Sequence, residues 1–117
     1  MDLSKIEKDL ISEIKLSNIQ AKIFLLIVTK GKMKTEQIGN ALNISVDEAS
    51  SNCKKLMKLG GFIEISENEF EAMHPRFTAV NMYRKMCEKE KIEFKRNVTV
   101  DNIGVVLENA YDDARTK

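Results

Sequence analysis

The sequence predicts a mainly α protein with a small β-hairpin. Three observations carry that expectation. One proline and five glycines are few interruptions in 117 residues, so little breaks the chain into loops. Apolar residues recur at a helical period through most of its length. Between residues 62 and 73 the period switches to two, which marks strands.

The first helical stretch, residues 3–15, gathers Leu3, Ile6, Leu10, Ile11 and Ile14 on one side, with Lys and Glu opposite. Ser17 and Gln20 then form a capping box, and Gly31 stops the second helix after Lys30. Ile19, Ile23, Phe24, Leu26 and Ile27 cover much of that cylinder, which places it in the centre of the fold. KMK at 32–34 reads as a short extended connector. Thr35 is expected to cap a helix through EQIGNAL that ends at Asn43. Ser45 and Glu48 repeat the capping box, and this helix runs to Gly60-Gly61, where left-handed backbone is tolerated.

FIEIS at 62–66 and EFEAM at 69–73 alternate about a tight Glu67-Asn68 turn. His74-Pro75 ends the second strand, since proline cannot continue a ladder but suits a helix's first turn. A long helix is expected to about Phe94. After RNVT, a last helix from Asp101 carries Ile103, Val106, Leu107, Ala110, Tyr111 and Ala114 on one stripe. Helix, short strand, helix, helix and hairpin make a winged helix-turn-helix with extra N- and C-terminal helices. The chain accordingly divides into an N-terminal helix at 1–16, the winged helix-turn-helix at 17–74, and C-terminal helices at 75–117.

Composition limits the function. The longest apolar run, IFLLIV at 23–28, is too short to span a bilayer, so no membrane is expected. No export leader opens the chain, and a cytoplasmic protein is the expectation. Cys53 and Cys87 each fall in an apolar helical stripe and read as reduced core thiols. A net charge of +1 rules out bulk attraction to nucleic acid, so any DNA contact must be local. Residues 17–61 carry seven Lys and three acids; residues 62–75 carry Glu64, Glu67, Glu69 and Glu71 and no cation; residues 76–97 carry seven Lys or Arg and three Glu.

The stretch from Leu16-Ser17 through Ile65, then FEAMHPRFTAV, resembles the DNA-binding domain of archaeal TrmB-like transcription regulators. The matching positions are Leu16-Ser17 at the opening, Thr35 at the second helix, Ile44 before the third and Gly60 before the wing. Phe70 to Pro75 match the strand that runs into a proline-started helix. MarR-like winged helices are similar over the same region, which is about half the chain. The resemblance implies a winged helix that binds double-stranded DNA to regulate transcription. The family usually adds a large effector-binding domain, which a chain of 117 residues is not expected to hold. The family's recognition helix opens basic and polar, whereas this one opens Val46, Asp47, Glu48.

On a wheel of 100° per residue, Ala49, Cys53 and Leu56 take one side of the helix at 45–59. Asp47, Ser51, Lys54 and Lys58 take the other, flanked by Ser50 and Lys55. That outer side is the one a winged helix lays in the major groove. Lys54, Lys55 and Lys58 would hold phosphates, with Lys32, Lys34 and the Thr35 cap nearby, while Ser50, Ser51 and Asp47 meet base edges. The plainer account is a solvated face. Acids at the start of a helix and lysines at its end suit the dipole, at roughly 0.3 kcal/mol or more each, and the capping box alone explains Glu48. The wing, carrying only Glu, would repel phosphate. It supports a second reading, a protein-interaction module of the transcription machinery or another assembly that docks a basic protein and binds no DNA.

The helices at 3–15, 75–94 and 101–115 also need cover for their stripes. A homodimer packed across a two-fold axis would supply it and set two recognition helices at half-site spacing; the alternative is that they fold back within one chain. An enzyme is not expected. The one histidine, His74, serves the strand–helix turn, zinc lacks ligands, and no phosphate loop or activated nucleophile is present, so no cofactor is called for.

Overall fold

The computed structural model describes residues 3–116; residues 1, 2 and 117 of the segments at 1–16 and 75–117 lie outside the described residues. In chain order these residues form α1 (Ser4–Ile14), α2 (Asn18–Lys30), β1 (Met33–Lys34), α3 (Thr35–Leu42), α4 (Val46–Lys58), β2 (Phe62–Ser66), β3 (Glu69–Ala72), α5 (Pro75–Glu90) and α6 (Val98–Arg115). The fold is mainly helical with a three-stranded antiparallel sheet in the order β1-β3-β2, a winged helix with additional helices at both ends. Among the described residues no helix is long and apolar enough to cross a membrane.

Local signals act where the sequence places them. The capping box of α2 closes in both directions: Gln20 N–H donates to Ser17 Oγ at 3.1 Å and Ser17 N–H to Gln20 Oε1 at 3.0 Å. Helix α2 buries Ala21, Ile23, Phe24, Leu25, Ile27 and Val28, so it is the central helix. KMK does more than connect: Met33 and Lys34 pair with Phe70 and Glu69 and complete the sheet. At the α3–α4 corner Gly39 is required, since a Cβ there would lie 2.8 Å from the Ile44 carbonyl.

The hairpin turns at Asn68 (φ 61°), and a bulge falls between Glu64 and Ser66. Phe62 faces Ala72 across the ladder, and both are buried with Phe70; the Phe62 ring lies 6.0 Å from that of Phe24. The opposite phase leaves Ile63 and Ile65 outward, 44% and 42% exposed.

Two expectations are corrected. Helix α5 stops at Glu90, four residues before Phe94. Lys91 takes the left-handed conformation (φ 56°), and Ile92 N–H donates to the Cys87 carbonyl at 2.9 Å. The reversal sets the Phe94 ring 5.8 Å from Tyr83. Helix α6 starts at Val98, three residues before Asp101, because Asn97 caps it: Val100 N–H donates to Asn97 Oδ1 at 3.1 Å.

Much of the cover sought for α1, α5 and α6 comes from within the chain. These helices fold back within the chain, and Ile6, Leu10, Ala79, Met82, Ile103 and Leu107 join Phe24, Leu56 and Phe70 in one core. Gly104 makes this possible at the α5–α6 crossing, where a Cβ would come within 2.7 Å of Arg76 Cα. Phe77 of α5 and Val98 and Val105 of α6 stay exposed outside that core.

Cys53 and Cys87 are free and fully buried, as expected of core thiols. Burial pushes the Cys53 thiol up from 9.0 to about 12. Above pH 9 the unfolded chain has released that proton while the folded chain keeps it. The unfolded state then binds fewer protons, and stability falls as pH rises from about 9 to about 12. The urea midpoint, followed by circular dichroism, should thus drop more steeply between about pH 8.5 and 10.5 for the wild type than for Cys53→Ala. Parallel pH profiles for the two proteins would refute this.

Candidate nucleic-acid interface

The two-sided character of α4 is present in three dimensions. Ala49, Cys53 and Leu56 are buried, which fixes the helix rigidly on the core. Asp47, Ser51, Lys54, Lys55 and Lys58 are exposed, and Ser50 is half-buried. Among the described residues none of the three lysines has an ion-pair partner, which is also true of Lys32 and Lys34. The α4 cations are thus left to solvent or to a ligand.

The N-terminal turn differs from expectation. Glu48 N–H donates to Ser45 Oγ at 3.0 Å, which is half of a capping box. The return bond from the Glu48 carboxylate is absent, so the box does not account for that side chain. Glu48 and Asp47 both present free carboxylates beside Val46, itself 46% exposed. This end of the helix suits contact with an electropositive or apolar edge better than phosphate.

Thr35 is removed from the candidate site. The helix cap is Lys34; Thr35 is the first helical residue and only 2% exposed. Its N–H donates to the Asn68 carbonyl at 2.9 Å, and Lys34 N–H donates to Gln37 Oε1 at 2.8 Å. The wing turn thus lies on the start of α3 and takes the Thr35 N–H, while Gln37 of α3 itself takes that of Lys34. Lys32 and Lys34 remain exposed, with Lys34 opposite Glu69 in the ladder.

The acidic wing is partly self-occupied. Glu64 Oε2 accepts from Asn68 N–H at 3.0 Å, and Glu69 Oε1 accepts from the Ser66 hydroxyl at 2.7 Å. Glu71 pairs with Arg115 on α6. Glu64 and Glu69 therefore order the turn, and Glu71 is held by a cation. Glu67 remains exposed at the tip.

His74 caps α5, accepting at Nδ1 from Arg76 N–H at 3.2 Å, with its ring against Tyr111 at 5.1 Å. Among the described residues no three His, Cys, Asp or Glu side chains converge on a metal position. Sequence reasoning missed Lys15 and Lys89, which share a groove with Lys55 and Lys58. They sit at the ends of α1 and α5, and no local pattern ties those ends to α4. The fold and its exposed helix define a winged helix of the helix-turn-helix class. Comparison of the chain with family models, with curated proteins and with solved structures gave no match.

Proposed function

We propose that the protein is a small DNA-binding transcription regulator that lays α4 in the major groove. The observation that carries this reading is the rigidly backed α4, whose solvent side holds Ser51, Lys54, Lys55 and Lys58 exposed and its lysines unpaired. Lysines at that spacing would hold phosphates, while Ser50, Ser51 and Asp47 would meet base edges, Asp47 by accepting from cytosine N4. The free carboxylates of Asp47 and Glu48 predict weak base specificity, so affinity comes chiefly from phosphate contacts.

Fluorescence anisotropy with a mixed-sequence duplex tests the reading. Three to four phosphate contacts give a slope of log affinity against log salt of about −3 to −4. Affinity should fall by roughly 40- to 150-fold between about 50 and 200 mM salt. No binding at the lower salt overturns the reading. The exposed Ile63 and Ile65 beside Glu67 then favour the second one, in which the wing docks a basic protein surface.

A further inference from the structure

A groove of about 520 Å³ lies where the C-terminal turns of α1, α4 and α5 meet the start of α2. Lys15, Lys55, Lys58 and Lys89 surround it, against a single acid, Glu90. No ion pair neutralises any of these four lysines among the described residues. Leu16, Leu59 and Met86 contribute apolar surface beneath them.

Helix dipoles alone do not account for that charge. Each C-terminus presents about half a negative charge, so three contribute about −1.5. With Glu90 the total is about −2.5 against four ammonium groups and about +0.5 from the N-terminus of α2, and about +2 is left facing the groove. The volume is that of small-molecule sites, roughly 300–1,000 Å³. Lysines, unlike arginines, offer point charges on flexible stems, so the site holds an anionic head by charge and demands no bidentate geometry of it.

We propose that this groove binds a small anionic amphiphile, a carboxylate on a short aliphatic body. The head is held by Lys15 and Lys89 together with Lys55 and Lys58, and the body lies on Leu16, Leu59 and Met86. Lys55 and Lys58 belong also to the DNA face of α4, so the bound anion competes with duplex DNA. Ligand binding stands on the groove alone; the competition rests on the DNA reading given above.

Octanoate, hexanoate, acetate and octanol are the probes, titrated into ¹⁵N-labelled protein and followed by amide shifts. Octanoate should give saturable shifts confined to residues 14–20, 55–59 and 86–90. Affinity should rise roughly fourfold per added methylene from hexanoate to octanoate. Lys15→Asn/Lys89→Gln should weaken octanoate at least tenfold; asparagine suits the left-handed φ of 66° at Lys15. Acetate as tight as octanoate, octanol as tight as octanoate, or no saturable octanoate shift each overturns the site. Octanoate should also release duplex DNA in the anisotropy assay. Bound octanoate with unchanged DNA affinity overturns the competition. Bound octanoate with no DNA binding in either state overturns the DNA reading and leaves the site standing.

Discussion

The Lys54→Ala/Lys55→Ala/Lys58→Ala variant should lose DNA affinity on the order of 100-fold at near-physiological salt. Each phosphate contact contributes about 0.9 to the salt slope, so three removed contacts flatten it by about 2.7. Extrapolated from the one-molar reference to 0.15 M, that slope corresponds to roughly two decades of affinity. Stability should hardly move. All three side chains are exposed and unpaired, and alanine is the better helix former, which offsets the weaker complement to the dipole at the end of α4. A Glu48→Gln variant supplies the opposite sign. It keeps the N–H that Ser45 accepts and removes only the carboxylate, so it should bind DNA several-fold more tightly. Weaker binding by Glu48→Gln would mean that its carboxylate does not face phosphate. Retention of affinity and slope by the triple variant would mean that α4 is not the DNA-facing element.

Much of this interface was legible because it is local. The phase of Ala49, Cys53 and Leu56 determines which side of α4 is buried, and that phase is written in a thirteen-residue helix. The cap at Ser17, the turn at Asn68 and the proline at the start of α5 are likewise short-range signals, and each acts as expected. What stayed hidden was set by contacts between distant elements. Thr35 carries the composition of a cap, but the wing turn reaches across to its N–H and buries it. Glu48 has the spacing of a capping box, yet nothing local forces the return bond.

The helix ends failed for a different reason. Lys91 adopts a left-handed conformation without being glycine or asparagine, so no residue type announced the end of α5. Asn97 was the true cap of α6, and Asp101 an acid in its first turn that mimics one. How far the outer helices cover one another within the chain could not be read from their apolar stripes, because it depends on where α6 runs. Gly104 marks that path, but a lone glycine in a helix looks like a mild defect until Arg76 is seen against it. Tertiary contacts also assemble the lysine groove, from helix ends that no periodicity connects.

Arg115→Met should cost about 3 kcal/mol of stability, because it breaks a largely buried ion pair from one side. Arg115 ties three elements together. Its Nη1 donates to the Val28 carbonyl at 2.8 Å and to Tyr111 at 3.0 Å, and its Nη2 donates to Ile27 at 3.1 Å and to the Glu71 carboxylate. The guanidinium also lies 3.7 Å from the Tyr111 ring centroid. Removing it leaves Glu71 with only the Ala72 N–H and strips a partner from the end of α2. Arg115→Lys keeps the charge but not the fork, and it should fall between wild type and Arg115→Met. A double Arg115→Met/Glu71→Gln variant should recover part of the loss, since no unpaired charge then remains against α6. Urea unfolding of the four proteins reads these differences directly. An Arg115→Met midpoint within about 0.5 kcal/mol of wild type would refute the anchor. The same variants bear on function, because Glu71 and the Tyr111 hydroxyl, 3.1 Å from the Ala72 carbonyl, are what hold β3 to α6. The anchor lies on the wing and α6, away from the α4 lysines, so DNA affinity measured well below the melting temperature should survive Arg115→Met. A loss of affinity there, with the protein still folded, would mean that wing position sets how α4 meets the groove.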